Sequence, residues 1–309
     1  MLAAAVVMVS PVAFGPNSQT AASNALQRAD PLPGDSSRAL AEWCVLRRQL
    51  AGQGVMVHDF AGATEVDLPD QCFPNNWFST HPDGTVVLYP LMAENRRAER
   101  RVDVLQMLRR NYQVSRLLDL TAAEQKSQFL EGTGSVVIDH RNGFGFAGLS
   151  PRTSERLALR LGAELGLEML TFQTADDAGR AYYHTNVIMS IADEFALWCP
   201  AALPDRAVRR RVSERLLLGG RAVIEITLPQ AQRFAANLLA LTGRAGPVIV
   251  LSSSAHDALT VEQAARLKDH GELLPLPLGT LERLGGGSAR CLLAEVHLPA
   301  RRCDTKPHD

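Results

Sequence analysis

Short apolar runs recur along the whole chain, alternating with helix-period segments and tight turns. AAVVMV, GVMVH, TVVLYPL, SVVIDH, NVIMSIA, PVIVLS and CLLAEVHLP are strand-length and rich in β-branched residues. Between such runs lie helix candidates at Ser37 to Leu50, Ala93 to Arg110, Thr121 to Phe129, Arg152 to Leu165, Asp205 to Leu216, Pro229 to Leu239 and Val261 to His270. Thr260 and Gln263 are spaced as a capping box for the last of these. Hairpin turns are expected at Asp139 to Gly143 and around Ala192-Asp193. Two strands, a helix and a further strand recur, which suggests a repeated supersecondary unit whose copies differ in sequence. No Pro/Ser/Gly tract divides the chain. A single α/β domain over residues 1–300 is expected, with RRCDTKPHD at 301–309 as a frayed tail.

Bulk properties narrow the function classes. A hydrophobic share of 46% and a charged share of 21% suit a folded globule, and a net charge of −1 gives no electrostatic footprint for nucleic acid. The run RRAERR, Arg96 to Arg101, is spaced like a solvated helix face. The opening MLAAAVVMVSP has no Lys or Arg before its apolar run, which is too short to cross a bilayer. Ala5 to Val9 reads instead as a buried first strand ended by Pro11. Five scattered cysteines with no CxxC pair indicate neither a disulfide framework nor a zinc site, so a reducing cytoplasm is expected. Neither G-x-G-x-x-G nor G-x-x-x-x-G-K-[ST] occurs, which disfavours nucleotide binding through such loops.

Chemistry concentrates in a few segments. Cys291 follows three glycines in GGGSARCLLAEV, where a thiol can stand at the mouth of a strand; a buried, inert cysteine is the plain alternative. Cys72 is its rival by position. His184, in YYHTNVIMS, precedes a strand among polar residues. Glu131 precedes Gly132-Thr133-Gly134, where a carboxylate can face a cleft or simply end a helix at the surface. Arg152 opens a predicted helix, an unfavourable place for a cation that hints at a bound carboxylate. In FPNNWFSTHPDG the paired amides Asn75 and Asn76 suit a turn before a strand, or a ligand.

In chain order, FPNNWFSTHPDGTVVLYPL, NRRAERR, EGTGSVV, GLSPRTSE, HTNVIMS and GGGSARCLLAEV resemble the citrulline-utilisation hydrolases. These belong to the superfamily that modifies guanidino and ureido groups, with arginine deiminase, dimethylarginine dimethylaminohydrolase and the amidinotransferases. The resemblance runs from about Val6 to Pro299. It implies a pentein α/β-propeller of five ββαβ-type units around a pseudo-fivefold axis, with the active site in the central channel. It further implies Cys291 as nucleophile, His184 as general acid/base and Glu131 as the acid beside them. Arg152, assisted by Arg97, would grip a substrate α-carboxylate.

Departures from relatives bear on the substrate. Arginine deiminases carry an Arg-Asp pair where this chain has Asn75-Asn76, and His-x-Asp where it has His184-Thr185-Asn186. Amides offer both a donor and an acceptor to a neutral ureido group, whereas a carboxylate there would be uncompensated. Citrulline hydrolysis to ornithine, ammonia and carbon dioxide is therefore expected, with no metal or organic cofactor. Asp70 could restore guanidine binding. The alternatives are a deiminase or dimethylarginine-type hydrolase releasing citrulline, and a catalytically silent amino-acid-binding pentein. The expected partner is a small-molecule amino acid, with no nucleic acid and no membrane; a homo-oligomer is left open.

Overall fold

The computed structural model describes residues 2–301. Of the expected tail at 301–309, residues 302–309, with Cys303 and His308, lie outside the described residues. Strands form five three-stranded sheets. In the first, β3 (Phe78–Thr80) pairs antiparallel with β4 (Thr85–Leu88), which pairs parallel with β5 (Arg116–Asp119). The pattern repeats in β6 (Val137–Asp139), β7 (Phe144–Leu149) and β8 (Glu168–Gln173). It repeats again in β9 (Met189–Ile191), β10 (Phe195–Trp198) and β11 (Ala222–Glu225). The fourth copy comprises β12 (Leu239–Thr242), β13 (Pro247–Ser252) and β14 (Glu272–Leu276). The fifth joins distant parts of the chain: β15 (Ala294–Glu295) pairs antiparallel with β1 (Ala5–Val9), and β1 pairs parallel with β2 (Met56–Phe60).

A parallel pair needs a crossover, and in each sheet the crossover carries a helix. These helices are Asp35–Gly52, Val102–Asn111, Glu155–Leu165, Arg206–Leu216 and Val261–Lys268. The chain thus runs through five ββαβ units, as the motif resemblance implies. Amphipathic spacing seats the helices: Glu155–Leu165 buries Leu157, Ala158 and Leu161 and stops at Gly166, which takes the left-handed φ of 68°. Thr260 and Gln263 form the expected capping box. Both expected hairpins form, joining β6 to β7 and β9 to β10.

Four helix expectations fail locally. Ala93 to Arg110 is a 3-10 turn at Asn95–Glu99 and an α-helix only from Val102, and Thr121 to Phe129 is a 3-10 turn at Thr121–Lys126. The segment Pro229 to Leu239 is helical only as far as Gln232; Phe234 then takes φ 61° and the chain enters β12. AANLLAL is apolar without a polar face, so its period does not distinguish a buried strand from a helix. The helix expected from Arg152 starts at Glu155, after the extended Ser154. Arg152 therefore stands outside the helix, and the dipole argument made for it does not apply.

β3, β6, β9, β12 and β15 all contribute to the wall of one central cavity, so one strand of every sheet faces the axis. The turns leading into these five strands come together at one end of that channel.

Candidate active site

Equivalent turns set the positions of the chemical groups. Asn76, Ser135, Asn186, Asn237 and Cys291 each stand two or three residues ahead of an inward strand, in the order β3, β6, β9, β12, β15. Each is followed by a pair of apolar residues, as in Asn186-Val187-Ile188, Asn237-Leu238-Leu239 and Cys291-Leu292-Leu293. The apolar pair anchors the turn in the core and leaves the polar residue at the axis. Short helical turns at Pro74–Asn76, Gly132–Ser135, Thr185–Val187 and Ala289–Leu292 hold four of these positions.

Cys291 is buried, and two carboxamides close on its sulfur: Asn237 Nδ2 donates at 3.3 Å and Asn186 Nδ2 at 3.6 Å. Burial pushes the thiol above its ordinary pKa, partly opposed by hydrogen bonds from these side chains. Asn186 Oδ1 is buried and has no partner. A free acceptor and a shared donor therefore sit beside the sulfur.

His184 immediately precedes its turn, and its Nε2 lies 2.9 Å from Glu131 Oε2. Both are buried, Glu131 completely; the surface reading of Glu131 does not hold. Burial lowers the His184 pKa to about 4, against the pull of Glu131, so the imidazole is neutral at neutral pH. Burial would raise Glu131, but Arg152, the His184 hydrogen bond and Arg96 hold its carboxyl well below the usual range. Its other oxygen, Oε1, accepts from the backbone of Met92 at 3.0 Å.

The glycines after Glu131 are a steric requirement. Gly132 takes φ 51°, and a β-carbon there would lie 2.1 Å from the Asn75 carbonyl oxygen. One at Gly134 would lie 2.6 Å from His184 Nδ1 and 2.7 Å from Asn76 Nδ2. The EGTGS segment thus lets backbone pass beneath both side chains.

Arg96 knits the acids together. Its guanidinium donates to both Glu99 oxygens at 2.9 and 3.0 Å, and to Asn76 Oδ1 at 3.0 Å. It also lies 3.6 Å from Glu131 and 3.7 Å from Asp70. This corrects the reading of RRAERR as a solvated helix face: Asn95–Glu99 is a 3-10 turn, and Arg96 is fully buried. Arg97, the expected assistant, lies outside the cluster. Its guanidinium donates to the Leu91 and Met92 carbonyls and faces Glu124. Adjacent residues in a tight turn point apart, so only one of the two can reach the axis.

Arg152 is buried, bonded to Ser23 Oγ and the Thr20 carbonyl, and stacked over the Tyr183 ring. Asp70 Oδ2 accepts from Asn17 at 2.8 Å, while its buried Oδ1 has no partner. Asn75 and Asn76 pair with each other, Asn76 Nδ2 donating to Asn75 Oδ1 at 3.2 Å, and Asn75 reaches Thr133. Cys72 packs in an apolar cluster; burial, with Asp70 and Glu99 nearby, raises its thiol far above the ordinary value.

One small cavity brings together Asp70, Asn76, Arg96, Arg152, His184 and Cys291. Its volume of about 10 Å³ holds roughly one water. Tyr183, whose hydroxyl donates to the Gly286 carbonyl, separates it from an outer cavity of about 750 Å³. The sequence reading did not single out Arg96 or Asn237. Arg96 was hidden in a charge run. Asn237 is signalled by the Asn-apolar-apolar pattern that it shares with Asn186.

The fold that carries this arrangement has known counterparts. The sequence model of the eukaryotic N,N dimethylarginine dimethylhydrolases matches residues 10–298. The chain belongs to this family. Its pentein fold is shared with the N-terminal domain of ArgZ bound to substrate, ArgZ being described as an arginine dihydrolase from the ornithine–ammonia cycle in Cyanobacteria. That likeness has a TM-score of 0.75 at 18% identity, over 96% of this chain and 98% of the other. Unliganded AgrE gives 0.76 at 20% identity, over 96% of this chain and 40% of the other. A dimethylarginine dimethylaminohydrolase bearing a chloropyridine adduct gives 0.67 at 14% identity, over 96% and 100%. No curated protein matches the sequence significantly. The family and fold place the chain in the superfamily expected from its motifs, without singling out the citrulline-utilisation branch.

Proposed function

We propose that this dimethylarginine-dimethylhydrolase family member hydrolyses the ureido group of citrulline through a covalent Cys291 intermediate. The observation that carries the reading is the composition of the reacting end of the cavity. Asn186 offers an unpartnered Oδ1 beside Cys291, and the groups touching the sulfur are neutral amides. A ureido NH2 needs an acceptor and its oxygen needs donors, and carboxamides supply both without a buried charge.

The resting thiol and imidazole are both neutral, so attack starts with transfer of the Cys291 proton to His184, whose imidazolium Glu131 stabilises. With Nε2 held by Glu131, Nδ1 is the atom left for transfer. Sγ then adds to the ureido carbon, the bond from that carbon to the side-chain nitrogen breaks, and His184 returns its proton to the departing amine. Ornithine leaves and an S-carbamoyl cysteine remains. Water loses a proton to His184 and adds to the carbamoyl carbon. The C–S bond breaks, the sulfur regains the proton from His184, and the released carbamate falls to ammonia and carbon dioxide. The Asn186 amide, beside the sulfur, is the donor available to the developing oxyanion.

A second reading, turnover of arginine or a methylated arginine, is favoured by the unpartnered Asp70 Oδ1 in the same cavity. That oxygen is the free anionic acceptor a guanidinium would seek. The test is mass balance: the purified protein is given citrulline, arginine and dimethylarginine separately, and ornithine, citrulline and ammonia are each quantified. Ornithine and ammonia from citrulline, abolished in Cys291→Ser, are expected. Citrulline accumulating from either guanidino substrate, with none consumed, would replace the first reading by the second.

A further inference from the structure

We infer that Asn237 is a further catalytic residue, the hydrogen-bond donor that stabilises the Cys291 thiolate. The inference rests on Cys291 being the nucleophile, as proposed above, but not on which substrate it attacks.

The orientation of the Asn237 amide is settled by its neighbours. Its Oδ1 accepts from the backbone N–H of Arg290 at 3.1 Å, and its Nδ2 donates to the backbone carbonyl of Asn186 at 3.1 Å. A flipped amide would set its NH2 against an N–H and its oxygen against a carbonyl, losing both bonds. With one Nδ2 hydrogen committed to Asn186, the other is free for Sγ, 3.3 Å away; the protonated thiol can also donate to Oδ1 at 3.6 Å, a bond the thiolate loses while it keeps the shorter one from Nδ2. The residue is completely buried, so no water substitutes for it.

The backbone around Asn237 is held for this purpose. Phe234, a non-glycine residue at φ 61°, turns the chain, and its carbonyl accepts the Asn237 N–H at 2.8 Å. A bulky residue in the left-handed region is strained, and such strain persists where the surroundings fix it. The Asn237 carbonyl in turn accepts from Arg290 at 3.4 Å, so side chain and main chain both grip the residue before the nucleophile. Asn186 also reaches the sulfur, but at 3.6 Å, and its oxygen is unengaged. Asn186 is thus free to answer to the substrate while Asn237 is locked on the protein.

The fold explains the pairing. Asn237 occupies in its unit the position that Cys291 occupies in the next, so neighbouring copies of one turn supply the nucleophile and its donor. Asn237 donates to the sulfur directly, whereas the nearby guanidinium of Arg290 favours the thiolate only through its field, its hydrogen bonds going to the Leu293 carbonyl and Glu295.

The test is the pH profile of Cys291 alkylation by iodoacetamide, with the modified peptide identified by mass spectrometry to exclude Cys44, Cys72, Cys199 and Cys303. Asn237→Ala removes the donor, and the alkylation midpoint should rise by about one pH unit or more, the size of a hydrogen bond to an ion. Asn237→Asp keeps the shape and the Oδ1 acceptor but places a carboxylate against the sulfur, so its midpoint should rise further. Melting curves separate these shifts from lost folding, and kcat should fall more than KM rises. Unchanged midpoints in a folded Asn237→Asp protein would overturn the inference. Retained turnover in Cys291→Ser would instead overturn the nucleophile assignment, a separate failure.

Discussion

Gly134 lies so close beneath His184 that a β-carbon would stand 2.6 Å from Nδ1. The ring has little room to yield, because its other nitrogen is tied to Glu131. Gly134→Ala should therefore shift the imidazole, and displacements of about 1 Å commonly cost ~100-fold in rate. We expect kcat to drop by about that factor while the melting temperature stays within a few degrees. A Gly134→Ala enzyme with native kcat would show that His184 does not act from this position.

Asn186 is the place where substrate charge is selected. Asn186→Asp puts a carboxylate at the unpartnered Oδ1 position next to the sulfur. It should depress citrulline turnover by ~100-fold or more and raise the ratio of arginine to citrulline turnover, since a guanidinium neutralises the new charge. Parallel losses on both substrates would remove Asn186 from substrate selection. Asn76→Asp should change the ratio less, because Arg96 already occupies that oxygen.

The neighbours Arg96 and Arg97 should behave oppositely. Arg96→Met leaves Glu99, Glu131 and Asp70 buried without their shared cation, a change worth about 3–5 kcal/mol of stability. Arg97→Ala touches only carbonyls and two partly exposed ion pairs, with Glu124 and Glu94, and should alter stability by less than about 1 kcal/mol. Denaturant melts and kcat on both variants check this; a larger loss in Arg97→Ala would return it to the site.

Acid should unfold the protein early. Burial lowers His184 and His140 to about 4 and His81 to about 3. Between about pH 4.5 and 6.5 the unfolded chain binds these three protons and the native one does not, so stability falls as pH drops. Glu99, pushed up to about 7 by burial against Arg96, works the other way, as does the raised Glu282. His58, also lowered by burial, adds to the histidine side, and the net is on the order of one to two protons, or ~2 kcal/mol per pH unit. Below that window Glu131 and Glu295, both held low, continue the loss. Denaturant midpoints that stay flat from about pH 6.5 to 4.5 would mean the buried histidines are solvated in the native state.

The fold was legible in its longer strands and less so in its inner ones. β1, β7, β10 and β13 are apolar runs that read as strands at sight. β3 has three residues and β15 two, too few for any period to show. Of the site, the sequence offered Cys291, His184 and Glu131 as separate segments, because glycines or polar residues interrupt an apolar pattern there. Their convergence depends on closure of the ring, which no local pattern encodes. Arg96 and Arg97 have identical chemistry in one run, and only the backbone turn decides which faces inward. Asn237 was masked by the apolar stretch around it, since its partners are the Arg290 N–H and the Asn186 carbonyl, both remote in the chain.

The pairing of β15 with β1 makes the segment carrying the nucleophile the clasp of the molecule. Val6 and Val7 receive a strand that starts three residues after Cys291, so the same event that fastens the β15–β1–β2 sheet also sets the sulfur. An open ring has no partial site and no partial activity. In refolding, catalysis should then return with the slowest phase, after most secondary structure is in place, and turnover becomes a direct report of whether the clasp is shut.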